Sequence, residues 1–157
     1  MGVSGNIRQD REARFIEGVG AFIRRDFETM ARTMRPDLEM HLPGSSWLAG
    51  TYRGPEEVGR CLLGLRQVLE SSEDHVTFVH EADRMVVEHD IRLHGPLHDV
   101  EMRFSVAMEY DEDERIASVT VEPEDRGLFD HIVQTALLSF DASRFAGAER
   151  PRPSIWP

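Results

Sequence analysis

The side chains best suited to chemistry in this sequence are a glutamate and a histidine two residues apart, Glu39 and His41. A histidine titrates near neutral pH, so it can take up and return a proton under working conditions. Residues two apart on a β-strand point to the same face, so the Glu39 carboxylate could orient the imidazole and raise its basicity. The pair predicts a general base, His41, with Glu39 as its orienting partner.

The same segment supports a competing interpretation. Polar and apolar residues alternate from residue 37 to residue 42, as they do in a half-buried strand. On that pattern the buried residues are Leu38, Met40 and Leu42. Glu39 and His41 would then lie on a solvated face, with the histidine beside the turn that follows. Alternation by itself favours this second interpretation.

A second candidate for proton transfer is His89, which shares a strand face with Met85, Val87 and Ile91. A buried imidazole needs a hydrogen-bonding partner, so it is either a satisfied core residue or an acid working beside His41. The neighbouring histidines lack the spacing of metal ligands, since His94 falls on the opposite strand face and His98 in a turn. The sequence therefore predicts no metal site.

Five further residues could line an apolar substrate pocket or belong to an ordinary core. They are Trp47, Tyr52, Phe104, Met108 and Tyr110. Tyr52 stands apart because its hydroxyl lies in a polar loop, where it could donate a hydrogen bond to a substrate oxygen. Cys61 falls in the middle of an apolar helical stripe, which indicates a small buried hydrophobe rather than a nucleophile.

Composition excludes several classes of function. The chain has 157 residues, of which 29 are acidic and 18 basic, and every basic residue is arginine. The formal net charge of −11 argues against nucleic acid or an anionic membrane as a partner. The absence of lysine excludes Schiff-base chemistry, and a single cysteine excludes an internal disulfide. No cofactor is predicted. Nothing marks the chain for secretion or a membrane, so we expect a cytoplasmic, bacterial protein.

Hydrophobic periodicity predicts an α+β domain over residues 1–145, followed by an extended Pro/Arg-rich tail over residues 146–157. Short connections between the late strands predict an antiparallel meander. The expected elements are a helix from about Asp10 with Phe15, Val19, Phe22 and Ile23 on one face, a short helix ending before Pro36, a strand over 37–42, a helix from Pro55 to about Glu70, strands near 75–81, 85–93, 100–110 and 115–121, and a helix near 127–140.

Residues 37–64 resemble the SnoaL-like polyketide cyclases, within the superfamily of nuclear transport factor two and ketosteroid isomerase. The resemblance rests on two motifs, His41-Leu42-Pro43-Gly44 after a strand and Ala49-Gly50-Thr51-Tyr52-Arg53-Gly54 before a helix. The order of elements agrees over residues 10–125. The resemblance implies a cone-shaped curved antiparallel sheet around an apolar pocket, N-terminal helices on its concave face, a C-terminal helix, and a homodimer. It also implies that Glu39 and His41 turn into the pocket.

No catalytic set known in that superfamily is complete here. His41 falls where ketosteroid isomerase has its general-base aspartate, and Val106 falls where it has an oxyanion-hole aspartate. His89 and Ile91 replace the Arg and Asp of limonene-type epoxide hydrolases. The aspartate that SnoaL cyclases carry on their last strand is missing from residues 116–121. The resemblance therefore implies a fold and a pocket more directly than a reaction.

Two functions follow from these observations. The first is a cofactor-free enzyme of secondary metabolism that acts on a small apolar oxygenated metabolite, such as a polyketide, terpenoid or steroid-like compound. It would work by general acid/base proton transfer in a cyclisation, isomerisation, dehydration or epoxide opening. The alternative is a non-catalytic small-molecule-binding protein or partner subunit of the same fold.

Overall fold

The structure is a computed structural model that describes residues 5–66, 68–70, 76–95 and 97–139. The predicted order of elements is confirmed, with two short strands added. The elements are α1 (Gly5–Arg24), α2 (Phe27–Arg32), β1 (Met34–Leu42), β2 (Gly50–Arg53), α3 (Gly54–Leu65), β3 (Leu69–Glu70), β4 (Val76–His80), β5 (Arg84–His94), β6 (Asp99–Tyr110), β7 (Ile116–Pro123) and α4 (Arg126–Ser139). The expected Pro/Arg-rich tail lies outside the described residues.

Seven strands form one curved, open sheet in the order β2-β1-β7-β6-β5-β3, and β4 also pairs with β5. The antiparallel meander over β4 to β7 is confirmed. One pair differs from the predicted all-antiparallel sheet, because β1 runs parallel to β7, with Met40 opposite Val119. The two strands are far apart in sequence, so their relative direction is set by the path of the whole chain rather than by any local turn.

Helix α3 ends five residues earlier than its apolar stripe predicts. The helix begins at Gly54 with Pro55 in its first turn, where a missing N–H costs nothing. It ends at Leu65, with Arg66 as its C-terminal cap residue. The chain then adds β3 to the edge of the sheet, where Leu69 pairs with Leu93. The end of the predicted helix therefore forms a strand, because pairing with β5 competes with helix formation there.

Helix α1 is held against the sheet by one buried arginine, whose side chain is 2% exposed. Arg11 donates from Nε and Nη2 to the carboxylate of Glu114 at 2.8 and 2.9 Å. It also donates to the carbonyl oxygens of Glu81 and Ala82, both at 3.2 Å. The guanidinium lies 4.4 Å from the ring centroid of Tyr110. This cluster fixes one end of α1 to the turns that join the strands.

The loop after β1 is fixed to α4 by Asp130. Its carboxylate accepts hydrogen bonds from the backbone N–H groups of Ser45 at 2.9 Å and Ser46 at 3.2 Å. Gly44 has a φ of +118°, and a Cβ built there would clash with the carboxylate of Asp130. The loop therefore requires a glycine at this position of the His-Leu-Pro-Gly motif, because a side chain would strain the backbone and crowd Asp130.

The apolar core lies between the sheet and the helices, and its centre includes Leu38, Met85 and Phe129, each fully buried. The rings of Phe104 and Phe129 meet edge to face with their centroids 5.4 Å apart, which joins β6 to α4. Among the described residues, no helix is long and apolar enough to cross a membrane.

Candidate active site

A cavity of about 430 Å³ lies between the concave face of the sheet and helices α1, α2 and α3. Its walls are mostly apolar. The side chains on the sheet side include Met40, Ile91, Phe104, Val106, Met108, Ile116, Val119 and Val121, and those on the helix side include Phe15, Val19, Phe22, Ile23, Met30, Val58, Leu62 and Leu65. The apolar face predicted for α1 is thus confirmed, but it covers a cavity rather than a filled core.

Only a few polar residues line this cavity. Among the described residues they are Arg14, Thr33, Arg66, His89 and His94. No described aspartate or glutamate belongs to the lining, although the chain carries 29 acidic residues. The polar part of the described wall therefore consists of two arginines, one threonine and two histidines.

His89 lies where strand alternation predicts it. It is on β5, on the same face as the buried Met85 and Val87 and opposite Phe104 on β6. The residue is partly buried and lines the cavity. This position gives the apolar cavity an imidazole, a side chain that can donate or accept a proton.

Glu39 and His41 come together as the sequence predicts, but they lie outside the cavity. His41 Nε2 is 3.6 Å from Glu39 Oε2, and His41 Nδ1 is 2.9 Å from the hydroxyl of Thr51. Glu39 also pairs with Arg53, at 3.1 Å between Oε1 and Nη2. The side chains of His41 and Glu39 are 43% and 37% exposed.

The expectation that this pair faces the pocket is therefore corrected. Met40 occupies the inward position on β1 and lines the cavity, and its neighbours Leu38 and Leu42 are buried. Inward-facing polar side chains would cost desolvation, whereas the apolar set gains free energy from burial. Strand alternation decides the orientation, and the resemblance gave the wrong face.

The five predicted substrate-binding residues divide into two groups. Phe104 and Met108 line the cavity, on the inward face of β6. Trp47, Tyr52 and Tyr110 do not belong to its lining. The polar atoms of the first two are used inside the fold, since Trp47 Nε1 donates to the Val133 carbonyl at 3.1 Å and the Tyr52 hydroxyl donates to the Leu48 carbonyl at 2.5 Å. The Tyr110 ring stacks against Arg11, and burial raises the pKa of its hydroxyl to about 12.

Cys61 is fully buried on α3, as its place in the apolar stripe predicts. Burial raises the pKa of its thiol to about 12, and a hydrogen bond with Tyr52 partly opposes that rise. Burial also raises the pKa of the Tyr52 hydroxyl. At neutral pH both groups stay protonated, so neither provides a nucleophile or a base.

Comparison with solved structures places this architecture among known folds. An NTF2-like protein from Burkholderia xenovorans superposes with a TM-score of 0.69 at 20% sequence identity, over 80% of this chain and 96% of that chain. The chain has the NTF2-like fold. No protein-family model matches the sequence, and no curated protein matches it.

Two other proteins with this architecture are a steroid isomerase and a protein co-crystallised with a small molecule. A steroid delta-isomerase from Pseudomonas aeruginosa superposes with a TM-score of 0.58 at 19% identity, over 90% of this chain and 98% of that chain. TerC, co-crystallised with polyporic acid, superposes with a TM-score of 0.64 at 19% identity, over 78% of this chain and 96% of that chain. At these identities the likeness establishes the NTF2-like fold and leaves the reaction open.

Four polar residues of the cavity were missed by sequence reasoning: Arg14, Thr33, Arg66 and His94. The signal for Arg66 is visible in retrospect, because Val58, Leu62 and Arg66 follow one another at helical spacing on one face. His94 falls on the outward parity of an ideal strand, yet it lies at the end of β5 and reaches the cavity. Its side chain is 53% exposed, and its Nδ1 lies 3.3 Å from Asp99 Oδ1.

A metal centre has no support in the described part of the chain, where no group of three histidine, cysteine or acidic side chains is placed to hold an ion. His94 and His89 both line the cavity, but they are five residues apart on one strand. That separation corresponds to roughly 16 Å along an extended backbone, far more than a shared ligand sphere allows.

Proposed function

We propose that the protein is a cofactor-free acid/base enzyme that holds a small apolar oxygenated molecule in the cavity and moves a proton on it through His89. The observation that carries this proposal is a titratable imidazole on the wall of an otherwise apolar cavity of about 430 Å³. Cavities of roughly 300–1,000 Å³ with a few polar groups are typical of sites for small organic ligands.

The chemistry available to His89 is removal of a proton from a carbon next to a carbonyl group. The proton passes from carbon to the imidazole, and the bonding pair becomes part of an enolate. Return of the same proton to another carbon completes an isomerisation. Alternatively, the enolate carbon attacks a second carbonyl to form a ring, and the alkoxide that results takes the proton back from the imidazolium. The apolar wall of Phe104, Val106 and Met108 excludes water from the reacting carbon.

The substrate class rests on the shape and polarity of the cavity together with the resemblance of residues 37–64 to SnoaL-like cyclases. A polyketide, terpenoid or steroid-like ketone combines an apolar body with a few oxygen atoms, as this lining requires. The NTF2-like fold of the P. aeruginosa steroid delta-isomerase supports the same class.

A non-catalytic ligand-binding protein of the same fold is the second candidate. It is favoured by the outward position of the Glu39–His41 pair and by the absence of a described carboxylate from the cavity wall. In that case the cavity would hold the same kind of molecule without changing it.

One experiment separates these possibilities, in two stages. The first stage measures binding of the apolar fluorophore phenylnaphthylamine to the wild type and to the cavity-filling variants V106F and V106W. We expect binding to weaken in V106F and to be lost in V106W, because the larger rings occupy the cavity. The control is I16W, since Ile16 on α1 is 62% exposed and the added ring points to solvent. Equal binding by all variants would show that the cavity is not the binding site.

The second stage measures proton exchange. A panel of polyketide, terpenoid and steroid ketones is incubated with the protein in heavy water, and deuterium incorporation next to the carbonyl is followed by mass spectrometry. We expect exchange with at least one compound, a loss of about 10²–10⁴-fold in H89Q, and no loss in H41Q. Ligands that bind in the cavity without any exchange would favour the non-catalytic protein.

A further inference from the structure

One arginine of the cavity wall has a buried guanidinium nitrogen with no hydrogen-bond partner. It is Nη1 of Arg66. Four buried side-chain nitrogen or oxygen atoms lack a partner in the described part of the chain, and they belong to Ser46, Arg66, His80 and Arg84. Arg66 is the only one of these four residues that lines the cavity. The Arg66 side chain therefore combines a position on the cavity wall with an unsatisfied N–H donor.

Arg66 differs from other described cations of the lining and the buried set, because these have a carboxylate or a carbonyl group close by. Arg14, the second arginine of the lining, donates from Nη1 to the Glu114 carbonyl at 2.8 Å. His80 pairs with Glu12 at 2.7 Å, and Arg84 lies 3.6 Å from a carboxylate oxygen of Glu81. For Arg66 the structure gives no ion pair with any described residue. Its recorded neighbour is the Phe22 ring, whose centroid is 6.0 Å from Cζ.

A purely structural role for this arginine is not supported by its contacts. Arg66 follows α3 directly, and its own backbone N–H donates to the Leu62 carbonyl at 3.0 Å. A cation at this end of a helix interacts favourably with the helix dipole. That attraction does not satisfy the side-chain donor, however, because an arginine presents five N–H groups in a fixed fork and cannot lose its proton.

The end of the cavity at Arg66 also contains His94. The backbone N–H of His94 donates to the carbonyl of Val68 at 2.9 Å, so the end of β5 is joined to the segment that carries Arg66. Asp99 lies on the other side of His94 and is not part of the lining. The described groups that face the cavity at this end are therefore a fixed cation and an imidazole.

We propose that Arg66 binds an anionic oxygen group of the ligand, a carboxylate or an ionised acidic hydroxyl, at the end of the cavity where α3 meets β3. The inference rests on the function proposed above and adds a chemical requirement to it. The ligand has an apolar body for the walls and one anionic head for Arg66, which the planar fork of a guanidinium can bind with two parallel hydrogen bonds.

The net charge of the whole chain contrasts with the charge of the cavity wall. A protein with a net charge of −11 repels anions from most of its surface. The described cavity wall has the opposite character, with arginines and no carboxylate. Selectivity for an anionic ligand would thus be a property of the cavity rather than of the protein as a whole.

The test uses two probes that share one aromatic framework, anilinonaphthalene sulfonate and the neutral phenylnaphthylamine. We expect the wild type to bind the sulfonate about tenfold to a hundredfold more tightly than the neutral probe, because a charge-assisted hydrogen bond is made to only one of them. Added salt should weaken binding of the sulfonate and leave the neutral probe unaffected.

The informative variant is R66M, which keeps the length of the side chain and removes the charge. We expect it to lose the preference for the sulfonate while it still binds the neutral probe, and we expect R66K to retain part of the preference. The matched control is R60M on α3, the helix that precedes Arg66, since Arg60 pairs with Glu56 at 2.6 Å and does not line the cavity. It should behave as the wild type.

The outcomes separate this inference from the proposed function. If the V106W substitution leaves the binding of both probes unchanged, the cavity does not bind ligands and both proposals fail. If the neutral probe binds in the cavity but the wild type shows no preference for the sulfonate, or if R66M keeps that preference, only the role of Arg66 is overturned. A preference that disappears in R66M and persists in R60M supports it.

Discussion

At the scale of single residues, successive side chains of β1 lie on opposite sides of the sheet, and only one side faces the cavity. Met40 lines it, whereas Glu39 and His41 form a pair on the outer face with Thr51 and Arg53. An exposed pair of this kind contributes little to stability, about 0–1 kcal/mol. The short distance between Glu39 and His41 shows that the two side chains interact. A pair of this kind becomes a candidate for catalysis only when it faces the cavity.

The buried thiol of Cys61 gives a prediction about pH. Its pKa is raised by burial from 9.0 to about 12, so the folded protein keeps it protonated while the unfolded chain ionises it first. Its stabilising contribution is fully present below pH 9 and is lost as the pH rises towards 12. We expect the free energy of unfolding of the wild type to fall by about 1 kcal/mol more per pH unit above pH 9 than that of C61A.

Urea unfolding at pH 8, 9 and 10 measures this difference. Comparing slopes rather than absolute stabilities removes the cost of the smaller side chain, which is the same at each pH. Tyr52 and Tyr110 ionise first in the unfolded chain, near pH 10, and both tyrosines are present in each protein. Parallel slopes for C61A and the wild type would contradict the assignment.

At the scale of elements, Arg11 couples α1 to two turns of the sheet. Its 2%-exposed side chain supplies donors to Glu114 and to two backbone carbonyl groups. Replacing it with methionine would leave these acceptors without their partner. We expect R11M to lower the free energy of unfolding by about 3–5 kcal/mol, as measured by urea denaturation.

The control for this prediction is R32M. Arg32 pairs with Glu28 at 3.4 Å, and the two side chains are 70% and 85% exposed. Its removal should change the free energy of unfolding by less than about 0.5 kcal/mol. A similar small effect for R11M would mean that α1 is held by its apolar contacts alone, such as the edge-to-face contact between Phe15 and Phe78.

The helices and strands also show which features of the fold hydrophobic periodicity can predict. Strand alternation correctly places His89, Phe104 and Met108 on the inward face, and helical spacing correctly places the apolar face of α1. It does not give the end of α3, because pairing of β3 with β5 competes for residues that also suit a helix. It does not give the parallel pairing of β1 with β7, which depends on strands distant in sequence.

At the scale of the whole molecule, the homodimer implied by the SnoaL-like resemblance is a proposal that the outer sheet face supports. Val79, Val86, Ala107 and Thr120 are paired in turn across four neighbouring strands. Their alternation partners face the helices, so this row lies on the outer face, and Val79 is 47% exposed. A row of small and apolar residues of this kind is suited to burial against a second copy.

Light scattering tests the dimer. We expect a mass of about twice 17.9 kDa for the wild type. The variant V86E places a charge in the middle of the row and should shift the mass towards that of a single chain, while its circular dichroism shows that the fold is retained. A wild-type mass of 17.9 kDa at all concentrations would overturn the proposal.

The sequence by itself determined the order of the main elements, the inward and outward faces of the strands, and the restriction of proton chemistry to histidines and carboxylates in a chain without lysine. Only the tertiary structure decided that α1 covers an open cavity and that Arg66 lies on its wall with no hydrogen-bond partner for Nη1. The physical reason is that periodicity specifies the direction in which a side chain points. Whether the space it points into is filled depends on the surface packed opposite, which belongs to residues elsewhere in the chain.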